Sequence, residues 1–149
     1  MKKLFLSILV ICSLLGGNAY AYNFKETINQ YSSANKGNVA IIYVLTRCSA
    51  LLSFTSAMII NESGQNKNSK IYTDYSIIAI HAATKVYLNH HSVTYDKARE
   101  NLLERRMRLI SFYREDAKEL FLRNGSYLSG YILGDLETCV LVSETIKNR

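Results

Sequence analysis

The stretch V39-A-I-I-Y-V-L-T-R-C-S-A-L-L-S-F-T-S-A-M-I-I60 decides the fold. It is apolar nearly all round, with no proline to interrupt it. Such a helix is either the centre of a domain or a membrane span, and at about 1.5 Å per residue this one is long enough to cross a bilayer. Arg47 sits near its middle, where a charge costs about 2.5–3.5 kcal/mol on an insertion scale. Thr46, Ser49, Ser53, Thr55 and Ser56 add further polar groups, and no aromatic belt with basic flanks marks its ends. The stretch therefore reads as a buried central helix, with a span as the competing reading.

Working outward, the chain contains no proline at all, so long helices are permitted throughout. Polar or glycine-containing breaks fall at 33–38, 61–70, 89–92 and 123–126. They leave a short leading helix and four long ones, near 39–60, 70–89, 93–123 and 127–147. Ser69 is a candidate N-cap for the helix at 70–89, whose apolar stripe reads Ile71, Tyr75, Ile78, Ala82, Val86 and Leu88. In the next helix the stripe reads Tyr95, Leu102, Met107, Ile110, Tyr113, Ala117, Leu120 and Phe121. Glu100, Glu104, Arg108, Arg114 and Lys118 fall on its solvent side. The expected fold is an all-α compact bundle of four long helices with a short N-terminal helix.

The first 21 residues have the form of a signal peptide: Lys2 and Lys3, an apolar run from Leu4 to Leu15, then Ala19-Tyr20-Ala21. Cleavage there would leave residues 22–149 as a single helical domain, and loss of Lys2 and Lys3 would lower the formal charge from +6 to +4. So small a charge serves solubility and is no footprint for nucleic acid. Cys12 would leave with the leader. Cys48 and Cys139 would remain, an even count that suggests one disulfide in an oxidising compartment, against the alternative of two buried thiols.

Small residues flank both cysteines at helical spacing. Ser49, Ser53 and Ala57 follow Cys48, while Ser126, Gly130, Gly134 and Thr138 precede Cys139. If these two ridges meet, the helices approach closely enough for a disulfide and must be antiparallel. Glycine at 130 and 134 within a helix would cost about 1 kcal/mol each. Arg47 and Asp135 lie near the same crossing and form a candidate buried ion pair. The alternatives are that Arg47 snorkels to the surface or Asp135 caps a shorter last helix.

Few residues suggest chemistry. His81, His90 and His91 are weak metal candidates, because their spacing lacks the i, i+4 pattern of a helical site. No nucleophile elbow, phosphate loop or zincin motif is present. Neither catalytic residues nor a cofactor are expected. Arg105, Arg106 and Arg108, with Tyr72, Tyr75, Tyr87 and Tyr95, form the candidate partner surface; the competing reading is a solvated face and boundary packing. The resulting expectation is an exported, periplasmic or secreted, non-enzymatic protein. It would act by binding an unknown protein partner in the envelope or as a small accessory subunit, with membrane contact only through the cleaved leader. The alternative is a small-molecule or metal carrier with a pocket between helices, around His81.

Overall fold

The computed structural model describes residues 26–128 and 130–149. The segment 1–21 expected to be a leader, with Cys12, lies outside the described residues, as does Ser129. Five helices follow in order: α1 (Ile28–Ala34), α2 (Gly37–Ser63), α3 (Lys67–His91), α4 (Tyr95–Asn124) and α5 (Tyr131–Lys147). The described residues contain no strand, and the fold is all-α.

Local chemistry sets the helix ends. In a capping box at α1, Thr27 Oγ1 accepts from the Gln30 N–H and Gln30 Oε1 accepts from the Thr27 N–H. Asn66 Oδ1 accepts from the N–H groups of Asn68 and Ser69 at α3. Asn66, not Ser69, is thus the N-cap. Ser69 completes the box as the third helical residue by accepting from the Asn66 N–H. The long polar break at 61–70 shrinks accordingly to three residues between α2 and α3. Gly64 and Gly125 end α2 and α4 at φ 72° and 75°, where a side chain would be strained.

α2 is the one described helix long and apolar enough to cross a membrane, yet 72% of its most apolar window is buried in the bundle. Every residue from Leu45 to Leu52 is buried, so α2 has no outer face over its middle. α3, α4 and α5 surround it, with α3 closest. Ser56 Oγ donates to the Ser69 carbonyl at 2.8 Å, and Ser76 Oγ donates to the Ser49 carbonyl at 2.8 Å, which makes α2 and α3 an antiparallel pair. Asn101 reaches Tyr87 and Arg106 reaches Ser76, so α4 runs back along α3. Ile132 and Leu136 join the core around Cys48, Leu51 and Leu52, whereas Val142 and Ile146 pack near Ile42 and Leu45. α5 therefore runs opposite to α2.

The buried stripes of α3 and α4 differ from those expected. α3 buries Ser69, Ser76, Ala79, Ala83, Thr84 and Tyr87, while Ile71 is exposed. The reason is steric: the small residues let α3 approach α2 closely, and the larger aliphatics flank that seam. In α4, Tyr95, Met107 and Phe121 are exposed, while Leu109 is buried beside Leu102, Tyr113 and Ala117.

Candidate functional site

α2 divides its neighbours into a locked side and an open one. On the locked side Cys48 and Cys139 are fully buried with their sulfurs 2.10 Å apart, at disulfide distance, and their Cα atoms 5.0 Å apart. Beside them Arg47 and Asp135 are each 1% exposed and pair at 2.5 Å. Arg47 Nε donates to the Tyr113 hydroxyl at 2.8 Å and Nη1 to the Tyr43 hydroxyl at 3.1 Å. The other carboxylate oxygen of Asp135 accepts from the Ile28 N–H at 2.7 Å, which ties α1 to α5. Each buried charge is thus hydrogen-bonded, the condition under which a buried pair is tolerated.

The electrostatics match this geometry. Burial alone would lower the Arg47 pKa, but Tyr113, Asp135 and Tyr43 outweigh it and raise it, so the guanidinium stays charged. Burial pushes the Asp135 carboxyl up against the pull of Arg47 and the Ile28 amide. Burial likewise pushes Tyr113 well above the usual phenol range. Tyr131 on α5 donates to Asp116 on α4.

The two small-residue ridges do not meet, and this corrects the expected seam. Ser49 faces Ser76 of α3 at 3.2 Å between hydroxyls. Gly130 is the α5 N-cap at φ 54°, outside the helix body, and Ser126 lies in the preceding loop. Gly134 has nothing within 4 Å of where a Cβ would stand, and the Thr138 hydroxyl bonds back to the Gly134 carbonyl. The α5 helix begins four residues later than expected, so neither Ser126 nor Gly130 can extend a ridge.

Ser53 and Ala57 instead line the open side. Together with Phe54, Met58, Ile110 and Ala117 they form the walls of a groove of about 680 Å3 between α2 and α4. Tyr127 also lines it, stacked on Phe121 with ring centroids 4.2 Å apart. Arg114 and Lys118 stand on the α4 wall, and Asn61 and Glu62 on the α2 wall.

The remaining candidates are dispersed. Tyr87 is buried and accepts from Asn101 beneath the Arg105 guanidinium, so it is no part of an outer surface. Tyr72 packs against the core, and Tyr75 donates to Glu144 of α5. Tyr95 is half exposed at the start of α4, Arg106 bonds Ser76, and Arg108 pairs with Glu104. His81 lies on the exposed side of α3, in a shallow depression of about 660 Å3 with Ile78, Tyr95 and Ile146. His90 and His91 sit together at the α3 C-terminus. Slight burial, His90 and Arg105 all lower the His91 pKa. Among the described residues no three His, Cys, Asp or Glu side chains are grouped to hold a metal.

Tyr43 and Tyr113, which complete the Arg47 centre, were not singled out in the sequence. Tyr43 lies one turn before Arg47 and was findable by spacing. Tyr113 was legible only as a core residue. A scan against protein-family models finds no match, and searches of curated proteins and of solved structures find no significant match either.

Proposed function

We propose that this is an exported, non-enzymatic helical protein that acts by binding another protein, or as a small accessory subunit. The observation that carries this reading is the groove between α2 and α4. It is open to solvent, apolar at its floor and charged at its rim, on a scaffold braced by a buried disulfide and a buried ion pair. Rigid concave surfaces of this kind pay little ordering entropy on binding. Its strongly perturbed groups, Arg47, Tyr113 and Tyr131, are occupied in intrachain hydrogen bonds. A disulfide-distance cysteine pair suits the periplasm or the extracellular space.

Affinity capture from an envelope extract, read by mass spectrometry, tests the proposal. A specific partner retained by oxidised protein is the expected result, and its absence would count against this function. The carrier reading draws on the depression around His81, and a ligand or metal that co-purifies and raises the melting temperature would favour it instead.

A further inference from the structure

The exposed cations of α4 fall into two groups. Lys97, Arg108 and Arg123 each pair with a glutamate of their own helix: Glu100, Glu104 and Glu119. Arg99, Arg105, Arg114 and Lys118 form no ion pair with a carboxylate among the described residues, and of these only Arg114 and Lys118 line the groove. They stand one turn apart on the groove wall, where two like charges at i, i+4 repel.

Arg106, by contrast, turns toward α3 and is not part of the groove lining. Arg106 is one turn before Ile110 on α4. It donates to Ser76, whose own hydroxyl bonds Ser49, one turn before Ser53 of the floor. Arg106 is half-buried, has no carboxylate partner, and its Nε is buried without a hydrogen bond among the described residues. Burial lowers its pKa, with no neighbouring anion opposing the shift.

We infer that the α2–α4 groove docks an acidic amphipathic helix of a partner protein, its carboxylates meeting Arg114 and Lys118 and its apolar face covering Ser53, Phe54 and Ala57. This deepens the protein-binding reading above and rests on it. A helix carrying acidic residues a turn apart matches the spacing of Arg114 and Lys118. The small side chains of Ser53, Ala57 and Ala117 let its backbone come close. Glu62, on the opposite wall, disfavours an occupant that is acidic all round.

The test uses the full chain, exported and recovered oxidised, labelled for amide NMR. The probe is a synthetic helical peptide of about 18 residues, with glutamates a turn apart beside a Leu/Ala stripe. A control peptide carries lysine in place of glutamate. The acidic peptide should shift the amides of Ser53, Ala57, Ile110 and Ala117 and bind at least roughly tenfold more tightly than the control. Arg114→Glu with Lys118→Glu should reverse that order. No binding of the acidic peptide, shifts confined to another face, or a preference that survives the reversal overturns the assignment. So does displacement of the peptide by phosphatidylglycerol vesicles, which would make the face a lipid surface. Capture from envelope extract separates the two readings. A partner held equally by wild type and by the charge-reversed variant keeps the protein-binding function and removes the groove, whereas no partner for either removes the function itself.

Discussion

The two flanks of α2 handle charge in opposite ways. Toward α1 and α5, Arg47 and Asp135 are taken fully out of water, and each is bonded by several groups of the same chain. Toward the C-terminal half of α4, Arg114 and Lys118 stand at the rim of an apolar groove and form no ion pair among the described residues. Both flanks belong to one helix whose middle is buried all round. The first flank spends its polar groups on folding. The second leaves them at the surface, outside any ion pair among the described residues.

The largest expected effect is on the locked flank. Asp135→Ala strands a buried guanidinium and frees the Ile28 amide, and should cost about 3–5 kcal/mol in chemical denaturation. A loss under about 1 kcal/mol would mean that Arg47 reaches solvent. Next, Cys48→Ala with Cys139→Ala removes the closure of a loop with a sequence separation of 91 and should cost about 2–5 kcal/mol. Melting with and without reductant provides an independent measure of the same term.

Tyr113 gives the comparison a pH dependence. Its folded-state pKa is raised by burial, so above the unfolded phenol pKa near 10 the native state holds a proton that the unfolded chain releases. This contribution is fully present below about pH 10 and is lost as pH rises, at about 1.4 kcal/mol per pH unit. Tyr113→Phe should remove that part of the slope. An unchanged slope would show that the hydroxyl titrates normally in the fold. Smaller still, Ser76→Ala on the α2–α3 seam should cost about 1 kcal/mol, through its bond to the Ser49 carbonyl. The smallest effect is expected on the open flank: Arg114→Ala should change stability by no more than about 0.5 kcal/mol, because it relieves a like-charge pair and breaks no ion pair. A large loss there would make the groove part of the folding machinery.

Much of this contrast was legible in the sequence, for reasons that differ by element. The all-round apolar character of 39–60 marked α2 as central, and Arg47 within it demanded a partner, for which Asp135, one turn before Cys139, was a candidate beside the alternatives of snorkelling and capping. The seam was misassigned because small residues announce a close approach without naming the neighbour. Ser49 found α3, since Ser69, Ser76, Ala79 and Ala83 form a longer small-residue face than α5 offers. The α4 stripe was partly misplaced because thirty residues at 3.6 per turn allow large apolar groups such as Met107 and Phe121 to fall off the buried face. The groove could not be read in advance, because it depends on where α4 stops covering Ser53 and Ala57. Arg114 and Lys118, a like-charged pair one turn apart, were its one local sign.

A double-mutant cycle on Arg47→Met and Asp135→Leu, read by denaturant unfolding, tests most directly whether the buried flank is a single interlocked unit. Each single substitution should cost about 3–5 kcal/mol, and the double no more than the costlier single, because removing both charges leaves neither stranded. Two single losses that simply add would contradict it, since Arg47 and Asp135 would then stabilise the bundle independently.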